Sequence, residues 1–361
     1  MINNIIIYNL ILFISVLFSL LASTVKDKGL GIIFCGISFL AITIPSIIRF
    51  DLGPDYKGYF YIFKEIYNFG KDMSFIEVSY FYINKFFSFS EYGYVYILAI
   101  YFIISLSFFY LKIEKEKAPL TVFLFMTLNV GYFSFDDQVR QVLAICIYSL
   151  SIKYIYKRDI YKYVIVVFLA GLIHKSAFAL FPFYFLSRVN VPRNISISLI
   201  LVFTIIFFSG VSQTLFSHIF KLVPYYDKYA YRDEYISASQ ATGSGFGVLL
   251  NVVLFSLCVF YKDKIGKDIE VNLLFIGILL LLFSSGNLNI SRFAKYFLFV
   301  GVFLLAEVFY KLKNRSIMWC MMLLLFLLFQ KTIIHRAEIN LSYQTIFGDN
   351  FREQVIRNEN R

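Results

Sequence analysis

Charge is scarce in this chain: Asp, Glu, Lys and Arg make up only 16% of its 361 residues. It has no polar stretch that reads as a soluble domain, no low-complexity linker and no convincing repeat. Its four cysteines, Cys35, Cys146, Cys258 and Cys320, sit singly inside apolar runs. Without short spacings they make no zinc pattern and argue against a disulfide framework, so they read as small buried hydrophobes. Three histidines in scattered contexts likewise argue against a metal site. No P-loop, Rossmann fingerprint, HExxH or nucleophile elbow is present, so covalent and nucleotide-driven chemistry have no support. Ahead of the first apolar run, Ile5 to Ala22, there is no basic region, and no clear small-residue cleavage site follows; it reads as a retained span. No cofactor and no metal are expected.

What is abundant is hydrocarbon and aromatic surface. Hydrophobic residues are 59% of the chain, with 44 Phe and 28 Tyr, and mean hydropathy is +0.72. About 20 apolar residues cross a bilayer as a helix, and such runs follow one another nearly end to end. The class is an all-α, polytopic transmembrane helical bundle, with residues 1–361 forming a single integral membrane domain. Apolar runs at 5–24, 29–48, 91–111, 119–135, 138–156, 162–174, 176–188, 194–210, 247–262, 270–286, 291–311 and 316–334 predict about twelve membrane elements. Between them lie three longer polar or aromatic stretches, 49–90, 211–246 and 335–361.

Short connections rich in Lys and Arg stay cytoplasmic. Six basic groups, starting at Lys26, Lys112, Lys157, Arg188, Lys262 and Lys311, share that side only if 162–188 crosses as a hairpin turning at His174. Both termini, the interfacial segment 49–90 and the loop 211–246 then lie outside the cytoplasm. The net charge of +11 is spread through membrane loops, so nucleic acid is not a partner.

Ionic groups interrupt the spans, mostly where one edge of the bilayer should be. Such groups cost free energy unless they pair or line a wet cavity, which makes them candidates for function. Arg49, Asp51 and Asp55 follow the second run, where Gly53-Pro54 breaks the helix and holds both carboxylates on a turn; the alternative is a capped helix end with a local ion pair. The stretch Phe75 to Phe87 predicts an aromatic helix along the interface, or a sugar-stacking surface. Asp136 and Asp137 precede Arg140 by three or four positions, a spacing that predicts pairing on one helical face. Arg140 and Gln141 lie one turn inside, where a guanidinium suits phosphate or carboxylate, or else an internal salt bridge. His174 and Lys175 mark the predicted break, as proton acceptor and cation or as satisfied structural groups. Arg292 and Tyr296 are i, i+4 neighbours able to face one cavity. The loop from Pro224 to Tyr235, with Arg232 and several tyrosines, reads as an aromatic lid over glycan or as a plain solvated loop.

Taken in order, these clusters resemble the EpsG family of Wzy-type polysaccharide polymerases. The resemblance is carried by Arg49 with Asp55-Tyr56, by Glu77-Val-Ser-Tyr-Phe-Tyr-Ile-Asn-Lys85, and by Asp137-Gln-Val-Arg-Gln-Val-Leu-Ala144 continuing to Ser151-Ile-Lys-Tyr-Ile155. His174-Lys-Ser-Ala177, Arg292 with Tyr296, and Ser342-Tyr-Gln-Thr-Ile-Phe347 complete it, with Ser342 standing where Pro is expected.

The resemblance implies a GT-C-like, metal-independent glycosyltransferase at the outer face of the bacterial cytoplasmic (inner) membrane, its active site facing the periplasm. It would join repeat units carried on undecaprenyl diphosphate, with the lipid bilayer and a chain-length regulator protein as further partners. Two tasks remain for side chains: deprotonating the acceptor hydroxyl and stabilising the departing diphosphate. His174 or Asp55 is the expected base. Arg140, Arg292, Arg49 and Lys175 are the expected cations, with Asp51, Tyr56, Asp137, Gln141, Tyr296 and Arg232 as further substrate contacts. A flippase for lipid-linked sugars and a membrane acyltransferase are the alternatives.

Overall fold

A computed structural model describes residues 2–70, 76–211, 245–284, 287–338 and 343–348. Among these the regular structure is helical. In chain order the helices are α1 (Ile2–Thr24), α2 (Lys28–Ile47), α3 (Tyr56–Phe69), α4 (Val78–Phe86), α5 (Gly93–Leu111) and α6 (Ala118–Thr127). There follow α7 (Tyr132–Asp137), α8 (Val139–Ser149), α9 (Ile152–Tyr156), α10 (Ile160–Ile173), α11 (Phe183–Leu186) and α12 (Arg193–Ser209). The last are α13 (Phe246–Phe260), α14 (Lys262–Ile265), α15 (Asp268–Phe283), α16 (Leu288–Lys311) and α17 (Arg315–Glu338).

Five of these, α1, α2, α5, α16 and α17, are long and apolar enough to cross a membrane. Their outward faces are hydrocarbon: Phe13 on α1 is 64% exposed and Ile32 on α2 is 73% exposed. Water penalises such surface and lipid does not, so the protein is membrane-embedded.

The expected count of about twelve membrane elements meets shorter pieces in the middle of the chain. The run 119–135 is two helices, α6 and α7, separated by a turn at Leu128–Gly131. A Cβ at Gly131 would stand 1.9 Å from the Phe125 carbonyl oxygen, so only glycine permits the fold-back. The run 138–156 is likewise α8 and α9. Apolarity continues across each turn because both sides are buried, and hydropathy therefore shows no boundary there. At His174 the predicted break is present. The second arm, whose apolar run 176–188 is short for a full crossing, is a 3-10 turn (Lys175–Leu180) followed by the four-residue α11.

The chain forms two compact units. The first comprises residues 1–147, 166–178 and 312–361, and the second 148–165 and 179–311. In the first, α1 packs along α2 and α6, α2 packs on α5, and α17 lies against α1 and α6. Asn9 and Gln330 exchange two amide hydrogen bonds, of 2.9 and 2.8 Å, between α1 and α17. The amphipathic α3 and α4 pack on each other and on α5, enclosing Tyr56, Tyr59, Phe63, Tyr80, Tyr94 and Tyr101. In the second unit α15 runs along α16, with α12 and α13 beside them. Its interior includes Lys262, whose Nζ donates to Asn190 Oδ1 at 3.1 Å and Asn272 Oδ1 at 3.2 Å.

Candidate functional site

The first unit gathers ionic side chains from five separated stretches of sequence, each placed by a local break in the helices. After α2 the backbone leaves the helix at Ile48 and pairs with the C-terminal segment. Phe50 N donates to the Gln344 carbonyl at 2.8 Å and Ile346 N to that of Ile48 at 2.9 Å, forming an antiparallel bridge between Arg49 and Thr345. Tyr343 adds a hydroxyl bond of 2.8 Å to the Pro45 carbonyl. Arg49 is thereby turned inward. Its guanidinium donates to the carbonyls of Ser46 and Asp136 and lies 3.4 Å from the Asp136 carboxylate.

Asp137 pairs elsewhere. Its carboxylate accepts two bonds of 3.1 Å from Arg336 near the end of α17, and Arg336 also lies over the Phe133 ring at 4.7 Å. The expected pairing of Asp136 and Asp137 with Arg140 is therefore corrected. The helix stops at Gln138 (φ −115°, ψ 50°), so the i, i+3 and i, i+4 geometry is lost between the acids and Arg140. Both arginines that replace Arg140 as partners come from distant parts of the sequence.

Arg140 opens α8 and finds Glu77 instead, with Nη1 2.6 Å from Oε2. Its guanidinium lies 4.5 Å from the centroid of Tyr80 and 5.4 Å from that of Tyr59. The other Glu77 oxygen, Oε1, accepts from the Lys175 backbone N–H at 3.0 Å and lies 3.1 Å from His174 Nδ1. Ser79 Oγ donates to the Leu172 carbonyl, a second tie between the start of α4 and the end of α10. Burial pushes the Glu77 carboxyl upward, but His174, the Arg140 charge and the Lys175 N–H outweigh it and hold its pKa at about 2. Glu77 is an anion fixed by three neighbours.

The remaining expected residues fall as follows. Asp51 takes a left-handed φ of 45° and lies 3.9 Å from the exposed Lys57 ammonium. Asp55 occupies the N-cap position of α3, and its carbonyl accepts from Tyr59 N at 3.1 Å. Tyr56, the first residue of α3, is buried, and burial pushes its hydroxyl up to about 12. Gln141 is buried, and Lys175 is exposed. Arg292 and Tyr296 belong to the second unit, where Tyr296 is fully buried with its ring 6.1 Å from that of Tyr148. Arg232, with most of the loop 211–246, and Ser342 lie outside the described residues.

Sequence reasoning missed two members of this cluster. In sequence, Glu77 opens a run shared with the family and lies in the interfacial aromatic stretch without an assigned role, and Arg336 falls unmarked in the polar stretch 335–361. The usable signal at Glu77 is a carboxylate at the head of a strongly aromatic stretch, Phe75 to Phe87, with no cation within five positions of it in sequence. Among the described residues no group of three or more His, Cys, Asp and Glu side chains gathers as a metal would require.

The same order of residues matches a known family. A profile of the EpsG family aligns with residues 32–346, from within α2 to the segment that bonds to Ile48. The chain belongs to the EpsG family. No curated protein and no solved structure matches it. The EpsG-family match spans every stretch that contributes to the cluster: Arg49, Glu77, Asp136 to Arg140, His174 and Arg336.

Proposed function

We propose that this EpsG-family protein is a membrane glycosyltransferase that polymerises a polysaccharide from lipid-linked repeat units. A growing glycan on undecaprenyl diphosphate is transferred to a hydroxyl of the non-reducing-end sugar of an incoming lipid-linked repeat. The observation that carries this reading is the cluster around Glu77. It brings Arg140 and the His174-Lys175 turn together in one place, from stretches that the family alignment covers. A proton acceptor beside fixed cations is what displacement of a diphosphate needs.

In the reaction the acceptor hydroxyl loses its proton to His174 or Asp55, and its oxygen forms a bond to the donor's anomeric carbon. The bond from that carbon to the diphosphate oxygen breaks, and the diphosphate leaves with the electron pair. One direct displacement inverts the anomeric centre. The diphosphate already activates the donor, so neither nucleotide nor metal is assigned a step. Arg140 and Lys175, with Arg49 and Arg292, are the proposed cations for the leaving group. Asp51, Tyr56, Asp137, Gln141, Tyr296 and Arg232 are the proposed contacts to saccharide or diphosphate. The proposed setting is the inner membrane, with the active site toward the periplasm and a chain-length regulator as partner. The GT-C-like architecture with about twelve membrane elements belongs to the same proposal.

Reconstitution tests it. Purified protein in lipid, given only undecaprenyl-diphosphate-linked repeats, is expected to yield products of increasing repeat number with inverted linkages. A protein that only moves the intact lipid-linked repeat across the bilayer is a flippase. In cells the two differ again, because loss of a polymerase leaves one repeat on the lipid A core and loss of a flippase removes even that.

A further inference from the structure

Glu77 has no role in the scheme above, yet it is the most constrained ionic group in the cluster. Both carboxylate oxygens are hydrogen-bonded, Oε2 by the Arg140 guanidinium at 2.6 Å and Oε1 by the Lys175 N–H at 3.0 Å, and His174 Nδ1 stands at ion-pair distance, 3.1 Å from Oε1. The residue is 5% exposed, so water does not compete for those positions.

We infer that Glu77 is the positioning residue that makes His174 the general base. This rests on the proposed glycan transfer for the identity of the proton donor, but the geometry is independent of it. An imidazole nitrogen facing a carboxylate carries the proton, because the alternative tautomer would set a lone pair against an anion. With Nδ1 protonated, the Nε2 lone pair is left to accept a hydroxyl proton. His174 is 28% exposed through its side chain, which leaves the ring a face toward a substrate. Glu77 itself is a poor base, since three neighbours stabilise its charged form.

Local structure supports the assignment. His174 ends α10, with its N–H bonded to the Ala170 carbonyl at 2.9 Å, and its own carbonyl accepts from Ala177 N at 2.9 Å to begin the 3-10 turn. The turn thus points the Lys175 N–H at Glu77, and the Ser79–Leu172 bond fixes α4 against the same helix end. Arg140 holds the carboxylate from the opposite side. The imidazole is oriented by a carboxylate that is itself oriented, the arrangement that fixes a histidine tautomer.

The chain has three histidines, which makes the tautomer measurable. His218→Asn and His335→Asn leave a single reporter; His335 is exposed on α17 and takes no part in the cluster. Full-length protein labelled with 15N in its histidine rings is reconstituted in lipid and observed by NMR at neutral pH. The expected spectrum shows a protonated Nδ1 and an unprotonated Nε2. Glu77→Gln is expected to raise the Nε2–H population and to lower chain elongation at least tenfold, with Glu77→Asp partly restoring both. A wild-type ring protonated at Nε2, alone or together with Nδ1, overturns the inference even if every Glu77 variant fails to fold. So does a tautomer, or an elongation rate, unchanged in Glu77→Gln. A wild-type protein with the expected tautomer that elongates no lipid-linked repeat defeats the proposed reaction while leaving the role of Glu77 toward His174 standing.

Discussion

Arg336 reaches Asp137 through two parallel hydrogen bonds of 3.1 Å each, joining the last long helix to the end of α7 across 199 residues of sequence. The arginine is 7% exposed and the carboxylate side chain 14%. Removing one partner of such a buried pair strands the other charge, at a cost of about 3–5 kcal/mol. Arg336→Ala is therefore expected to lower the unfolding temperature in detergent sharply. Arg336→Lys keeps the charge but not the two-pronged geometry, and should fall between. An Arg336→Met, Asp137→Leu double variant should be less destabilised than either single change. Thermal unfolding monitored by intrinsic fluorescence compares each of these variants with the wild type.

The Asp137 carboxylate also closes on the loop after α2. A Cβ at Gly53 would lie 2.2 Å from Asp137 Oδ1, and the glycine adopts φ +104°. Gly53→Ala faces both backbone strain and a clash, so a loss of roughly 1–3 kcal/mol is expected. Asp137→Asn does not open the space, because the amide has the same shape. The two substitutions together should still show the Gly53 penalty in a double-mutant thermal series.

Arg140 separates structure from chemistry. Arg140→Ala leaves the Glu77 anion with two of its three neighbours and removes the guanidinium from the rings of Tyr59 and Tyr80. Long glycan chains should vanish while single-repeat products persist, read on a gel of cell-envelope saccharides beside a quantified membrane fraction. Arg140→Lys should retain a small share of elongation. Normal chain lengths from a stably inserted Arg140→Ala protein would remove Arg140 from the mechanism.

Acid should loosen the same region. The Glu77 carboxyl titrates at about 2 in the folded protein, against an ordinary value of 4.5 when unfolded. A depressed carboxylate contributes stability that is complete above the unfolded value and is lost as pH falls toward the folded one. The contribution is on the order of 3 kcal/mol at neutral pH. Unfolding temperature should therefore fall between about pH 4.5 and 2 partly through this group. Glu77→Gln should be less stable at neutral pH, and the gap from wild type should narrow as acid is added.

Much of the site's membership was legible because ionic groups are so rare in this chain. Arg49, Asp137, Arg140 and His174 stand out against hydrocarbon, and each proves to be engaged with another ionic group in the fold. Their pairing was not legible. Spacing along a helix suggested Asp136 and Asp137 for Arg140, but that rule holds only while the helix continues, and the chain turns at Gln138. Glu77 was overlooked for the complementary reason: its partners lie 63 and 98 residues farther along, and nothing local announces them.

Composition and hydropathy alone determined that this is a helical membrane protein, since a chain with 59% hydrophobic residues and repeated apolar runs has no aqueous way to bury them. The order of its polar interruptions also pointed to the family that the profile match shows. Which charge answers which was decided only in three dimensions. Buried ions choose partners by distance and desolvation, and these depend on where helices stop: at Ile48, at Gln138 and at His174. The stops at Ile48 and His174 are marked in one dimension by Arg49 and by His174-Lys175, whereas the stop at Gln138 is hidden inside what reads as helical spacing.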